Sequence, residues 1–187
     1  MSPVEDTGGA AAGAPARDPR VAVMREHGIV NPEWTLQAAT NARLPLEYAC
    51  ALLDKETGGG HNEWGHDPTI FVGGYDAATG RAYGEAVSEL GYHAYKILRG
   101  SQGQGGMQGV GPCQLTYYSY QDAADSLGGC WQPLHNMTVG FNLLRSNIGR
   151  YGEQAGAAAY NGSGPAAEAY GADFVRRAAE WRALLHA

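Results

Sequence analysis

Leu44-Pro-Leu-Glu-Tyr-Ala-Cys-Ala-Leu-Leu-Asp-Lys-Glu56-Thr-Gly-Gly-Gly60 is the stretch on which the fold turns. Pro45 presets the backbone of a first helical turn and the glycines at 58 to 60 stop what it starts, so a helix is expected from Leu44 to Glu56. Placed at about 100° per residue, Leu46, Ala49, Leu52 and Leu53 gather on one side, with Cys50 at the edge. Glu47, Asp54 and Lys55 fall on the opposite half. Glu56 falls between Leu52 and Leu53, inside the apolar stripe. A carboxylate aimed that way loses solvent, which favours its neutral form, and the helix dipole at a C-terminus disfavours negative charge. Both effects keep a proton on Glu56 near neutral pH, the property a general acid needs. The bland alternative is a frayed last-turn glutamate lying in water.

Upstream of this helix, residues 2 to 20 are rich in Ala, Gly, Pro and Asp and have no apolar period, which reads as a flexible leader or linker (1–20). The folded part, 21–187, begins near Val21. Asn31-Pro32 supplies a cap and first-turn proline for a helix from Pro32 to Ala42. Downstream lies a Gly- and Asp-rich stretch in which Thr69-Ile-Phe-Val72 and Gly73-Gly74 suggest a small hairpin. Residues 84 to 98 read as a helix with Val87, Leu90, Ala94 and Ile97 on its apolar face. Residues 100 to 111 form a glycine-rich loop, and 116 to 127 a further helix. From Asn136 to Tyr151, Met137, Phe141, Leu144, Ile148 and Tyr151 recur at helical spacing, and Gly152 ends the run. Phe174, Ala178, Trp181 and Leu185 repeat the pattern. The chain is therefore expected to be mainly α, with one small β element just after Glu56.

The 187 residues suit one core plus a tail, and the 44% apolar content is that of a folding chain. Nineteen acidic against thirteen basic residues give a net charge of −6 with no basic cluster, which argues against a nucleic-acid partner. No apolar run approaches the roughly 20 residues of a membrane span, and the first twenty residues lack the pattern of a secretion signal. Cys50, Cys113 and Cys130 are an odd count without CxxC spacing, so free thiols are expected. Cys50 reads as a small buried hydrophobe.

Three segments, in order, carry a resemblance. Leu53-Asp-Lys-Glu56-Thr-Gly-Gly is similar to the catalytic-glutamate segment of the goose-type lysozyme and soluble lytic transglycosylase family. Gly109-Val-Gly-Pro-Cys-Gln114-Leu-Thr resembles its second motif, and Ala157-Ala-Ala-Tyr160-Asn161-Gly-Ser-Gly-Pro its third. Ala167 to Val175, with Tyr170, fits the segment that follows. The match runs from about Pro32 to Arg177. The run Gly58 to Pro68 is also similar to catalytic domains of phage endolysins directed at actinobacterial walls, and the Ala-, Gly- and Arg-rich composition is compatible with a GC-rich host.

The resemblance implies a lysozyme-like α+β domain with a small hairpin lobe after the glutamate helix. It implies a muramidase that cuts the β-1,4 bond between N-acetylmuramic acid and N-acetylglucosamine, without a cofactor. Glu56 is then the catalytic acid, Gln114 a cleft residue that hydrogen-bonds sugar, and Tyr160 a contact to the glutamate or the acetamido group. Asn161 and Thr57 hold substrate. Hydrolysis needs a second carboxylate to place water, for which Asp67 is the first candidate and Asp76 the second. Without one, the same glutamate serves a lytic transglycosylase in which the sugar's own 6-hydroxyl attacks. The implied partner is bacterial peptidoglycan, met by a monomer, one module of a longer endolysin, made in the host cytoplasm and acting on the wall after release. The interval from Glu56 to Gln114 is longer than the family's, and Pro112-Cys113 stands where Gly or Leu and Met are usual.

Other chemistries fit less well. His61, Glu63, His66 and Asp67 cluster in sequence but not in the H-E-x-x-H pattern of a zinc helix. A zinc deaminase needs a cysteine where Thr116 stands. A cysteine peptidase lacks an evident histidine partner for Cys50 or Cys113, and a wall-binding module lacks repeats and aromatic ladders.

Overall fold

The computed structural model describes residues 18–64, 75–76, 81–82, 87–102 and 107–187. Among them the chain is mainly helical, with eight helices in the order α1 (Pro19–Glu26), α2 (Pro32–Ala42), α3 (Leu46–Thr57), α4 (Glu89–Gln102), α5 (Tyr118–Asp125), α6 (Pro133–Tyr151), α7 (Glu153–Asn161) and α8 (Pro165–Leu185). Two short strands, β1 (Tyr75–Asp76) and β2 (Arg81–Ala82), pair antiparallel between α3 and α4.

Helix starts follow the prolines. Pro32, Pro133 and Pro165 each stand in a first turn, where a missing N–H costs nothing. The same signal, overlooked upstream, begins the fold at Pro19 rather than Val21: Asp18 caps α1 by accepting from Arg20 N, and Val21 and Met24 are buried. Residues 18 to 20, expected in the leader, thus belong to α1 and its cap, and residues 1 to 17 lie outside the described residues. α3 stops where Gly58 takes the left-handed conformation (φ 61°), its N–H donating to Asp54 O, while Gly59 N donates to Leu53 O.

α3 is the core helix. Leu46, Ala49, Cys50, Leu52 and Leu53 are buried as the spacing requires, and Ala51 joins them. α2, with Thr35, Ala38, Ala39 and Ala42 buried, packs on α6, where Thr35 Oγ1 meets Met137 Sδ; α6 packs on α7, and α8 on both α7 and α3. Met137, Phe141 and Leu144 are buried on α6 as expected, whereas Tyr151, at its end, is exposed. Phe174, Ala178, Trp181 and Leu185 all face inward from α8.

Two expectations are corrected. The apolar face assigned to residues 84 to 98 points the wrong way: Leu90 is 82% and Ile97 76% exposed, while Tyr92, Tyr95 and Arg99 are buried. The aromatic pair wins because each ring buries more area than an aliphatic side chain and each hydroxyl has a partner inside. Tyr92 donates to Asp125, and the Tyr95 hydroxyl meets Gln121. Val87 is buried, but ahead of the helix. The second correction concerns the hairpin lobe. Two residues per strand, in the register Tyr75 to Ala82 and Asp76 to Arg81, are too short to bury a core of their own; Thr69 to Val72 lie outside the described residues.

Candidate functional site

The polar half of α3 does not face water. It is fastened to α8 along its length: Arg182 Nε donates to Glu47 Oε1 (3.0 Å), Trp181 Nε1 to Asp54 Oδ2 (2.6 Å), and Lys55 Nζ to Asp173 Oδ2 (2.7 Å). Glu56 is the last member of this row. The Tyr170 hydroxyl of α8 donates to Glu56 Oε1 at 2.5 Å, and Lys55 Nζ lies 4.6 Å from the centre of the Tyr170 ring. The tyrosine is thus oriented by the residue before the one it serves. A frayed helix end is ruled out by this anchoring.

Burial pushes the Glu56 carboxyl up to about 7, while the Tyr170 hydrogen bond and the Lys55 charge pull it back. Desolvation wins. Near neutral pH the group is thus divided between an acid with a proton to give and a carboxylate able to take one.

Facing α3 is the turn Val110 to Leu115. Gly111 N donates to Glu63 O (2.7 Å), Leu115 N to Val110 O (3.0 Å), and Trp64 forms a bridge with Val110. From α6, Asn136 accepts from Cys113 N (2.9 Å) and donates to Val110 O (2.8 Å). From α7, the Tyr160 hydroxyl donates to Cys113 O (2.7 Å). Gly140 makes this approach possible: a Cβ there would lie 2.4 Å from the Cys113 Cβ. Gln114 sits in the turn with φ 47°, a left-handed conformation uncommon for a residue with a side chain, of the kind that clusters at functional sites.

Placed in this frame, the expected site residues separate into groups. Gln114, Tyr160 and Asn161 do come together, lining one cavity of about 300 Å³ with Met107, Leu115, Tyr117, Tyr120 and Asn147. The Gln114 amide nitrogen, however, is spent within the protein, donating to Glu63 O (2.9 Å) and Gly111 O (3.0 Å). Tyr160 binds Cys113 O; the tyrosine bonded to Glu56 is Tyr170, ten residues on. Burial, with Cys113, Glu56 and Tyr170 close by, holds the Tyr160 hydroxyl well above its ordinary range, so it stays a donor.

Thr57 is buried and its hydroxyl is used inside. It donates to Pro112 O (3.0 Å) and accepts from Gly60 N (3.0 Å), so it braces the glutamate helix against the Gln114 turn rather than touching sugar. Asp67 lies outside the described residues, and Asp76 is on β1 opposite Arg81. The three cysteines are free and buried. Burial raises the thiols of Cys50 and Cys113 and pushes Cys130 up to about 12, the reverse of what a nucleophilic thiolate needs.

One residue that the sequence singled out only as part of a discarded metal cluster proves prominent. Glu63 is 1% exposed; its Oε2 accepts from Val87 N (2.8 Å). Burial raises it to about 7, opposed by that hydrogen bond. His61, near it in sequence, is exposed and meets Gly28 O at 3.2 Å. The signal for burying Glu63 was its place before Trp64, which fixes the segment into the core.

Comparison with known protein families, with curated proteins and with solved structures found no match.

Proposed function

We propose that this chain is a peptidoglycan-cleaving enzyme in which Glu56 is the general acid for the β-1,4 bond between N-acetylmuramic acid and N-acetylglucosamine. The observation that carries this reading is a carboxyl raised to about 7 by burial and held at one oxygen by Tyr170, on a helix that Thr57 ties to the turn carrying Gln114; Gln114, Tyr160 and Asn161 line one cavity. The resemblance of the same three segments to goose-type lysozymes supports it, and with it a lysozyme-like arrangement of the domain. Protonated Glu56 gives its proton to the leaving oxygen as the glycosidic bond breaks. The carboxylate so formed keeps the Tyr170 hydrogen bond, which is stronger to the charged form. Water then completes hydrolysis, with Asp67 as the candidate to orient it.

The second reading is lytic transglycosylation, and one observation favours it: among the described residues the side chain bonded to Glu56 is a tyrosine, Tyr170. Glu56 then takes back a proton from the sugar's 6-hydroxyl, leaving a 1,6-anhydro end. The implied setting is a monomeric phage endolysin module acting on the wall after release from the host cytoplasm. No helix among the described residues is long and apolar enough to cross a membrane.

The test is Glu56→Gln assayed on purified peptidoglycan, with mass spectrometry of the released sugar ends. Loss of a general acid should cut the rate by roughly two to four orders of magnitude. Reducing muramic acid ends mark hydrolysis and anhydro ends the transglycosylase. Undiminished activity of the variant would overturn the assignment, and activity lost instead in Cys113→Ser would point to a peptidase.

A further inference from the structure

A second cavity, of about 550 Å³, shares no lining residue with the Gln114 pocket. Four segments converge on it: the start of α2 with Asn31 and Trp34, the turn after α3 with His61 and Glu63, Val87 ahead of α4, and Trp131 before α6. Its volume lies within the range of small-ligand sites. Trp34 is 43% exposed, unusual for so large an apolar ring on a surface with no partner. Trp131 is fixed from behind, its ring 5.9 Å from that of Tyr92 and 5.5 Å from that of His93. Among the described residues Glu63 is the acidic side chain of the wall, and the lining holds no lysine or arginine.

We propose that this cavity is a saccharide-binding subsite, in which the indoles of Trp34 and Trp131 take the apolar faces of N-acetylhexosamine rings. The chemistry of the wall selects this class. Aromatic walls with a few fixed polar groups suit a ring that is apolar on its faces and polar at its edge. Among the described residues this wall holds no lysine or arginine to pair with a phosphate or carboxylate. The subsite is also tied to the candidate cleft: the Glu63 carbonyl accepts from both Gly111 N and Gln114 Nε2, so one residue lines this cavity by its side chain and holds the Gln114 turn by its backbone. A polymeric glycan able to occupy both places would be gripped on either side of that turn. The choice of glycan rests on the proposed cleavage reaction; the cavity does not.

The probe is the β-1,4-linked tetrasaccharide of N-acetylglucosamine, titrated into the full-length Glu56→Gln chain so that no cleavage intervenes. In heteronuclear NMR the indole N–H signals of Trp34 and Trp131 should move on titration, while that of Trp181, buried between α8 and α3, stays. Trp34→Ala in the same background should weaken calorimetric binding by about tenfold or more, the scale of one lost aromatic contact, with Trp34→Phe recovering part of it. An unchanged circular dichroism melt of Trp34→Ala separates lost binding from lost folding. Still indole signals at saturating saccharide, or equal affinity in Trp34→Ala, would overturn the subsite. Glu56-dependent lysis with a silent Trp34 sinks the subsite alone; a responsive Trp34 with peptidoglycan left uncut sinks the cleavage reading alone.

Discussion

Glu63→Gln should make the protein more stable than the wild type at pH 8, relative to any difference between them at pH 4. In the unfolded chain the carboxyl has its ordinary value of 4.5; in the folded chain burial lifts it to about 7. Between those limits the folded state holds a proton that the unfolded state releases, so unfolding is favoured as pH rises. The stabilising contribution is complete below 4.5 and lost as pH passes through 7. A span of about 2.5 units at 1.36 kcal/mol each corresponds to about 3 kcal/mol. At 1% exposure Glu63 has little solvent to screen it. Glutamine keeps an oxygen for Val87 N and has no proton to lose, so it removes the slope while leaving a constant offset. Urea unfolding at whole pH steps from 4 to 8 measures this directly. The difference between variant and wild type should move by about 3 kcal/mol in the variant's favour, a gain of roughly 6 to 12 °C in Tm for a chain of this size. A difference that stays constant across the range would mean that Glu63 is ionised in the folded protein, and the argument from its burial would fail. Glu56, also raised to about 7 by burial, titrates in the same window and adds the same slope to variant and wild type, so it drops out of their difference.

Other variants separate the remaining contributions. Tyr170→Phe removes the donor that favours ionised Glu56, so the carboxyl should rise further, by about one unit for a hydrogen bond to a charged group; the basic limb of the pH–rate profile on peptidoglycan should move up, and an unmoved limb would uncouple Tyr170 from the acid. Gln108 is 1% exposed, and among the described residues neither its Oε1 nor its Nε2 has a partner; Gln108→Met should therefore raise stability by about 1 to 3 kcal/mol in urea titrations, whereas a loss would show that the amide is bonded. Phe174→Ala empties a fully buried site between α8 and Tyr48 and should cost about 3 to 5 kcal/mol, read from the same titrations.

Helices were legible wherever a cap, a proline or a glycine marked an end and aliphatic residues marked a face. α2 falls at Pro32–Ala42 as read, and α3, α6 and α8 bury the residues their spacing names. α4 failed for a reason that spacing cannot supply. Its aliphatic row and its aromatic row lie on different faces, and the choice depends on whether Tyr92 and Tyr95 find partners for their hydroxyls. Those partners, Asp125 and Gln121, belong to α5, about thirty residues downstream, and no local pattern announces them. Once they are in place, Arg99 follows the tyrosines inward and donates to Gln121 as well (2.6 Å). The exposed Leu90 and Ile97 are the consequence.

The site shows the same division between local and distant causes. That Glu56 should be shielded was readable from its position over Leu52 and Leu53, because burial of a helix stripe is a local matter. Its partner was not. Tyr160 lies in the third motif and Tyr170 just after it, and only the turn at Gly162 to Gly164 decides between them: it ends α7 with Tyr160 over Cys113 and starts α8 at Pro165, which carries Tyr170 back to α3. The fastening of α8 to Glu47, Asp54 and Lys55 then fixes the height at which Tyr170 arrives. Residues placed only on the half opposite the apolar stripe are what set the donor against the acid. A change that frees Lys55, such as Asp173→Asn, should for this reason disturb Glu56 through Tyr170 without touching either. The pH–rate profile would record it, and a profile identical to the wild type's would confine the row of contacts to stability.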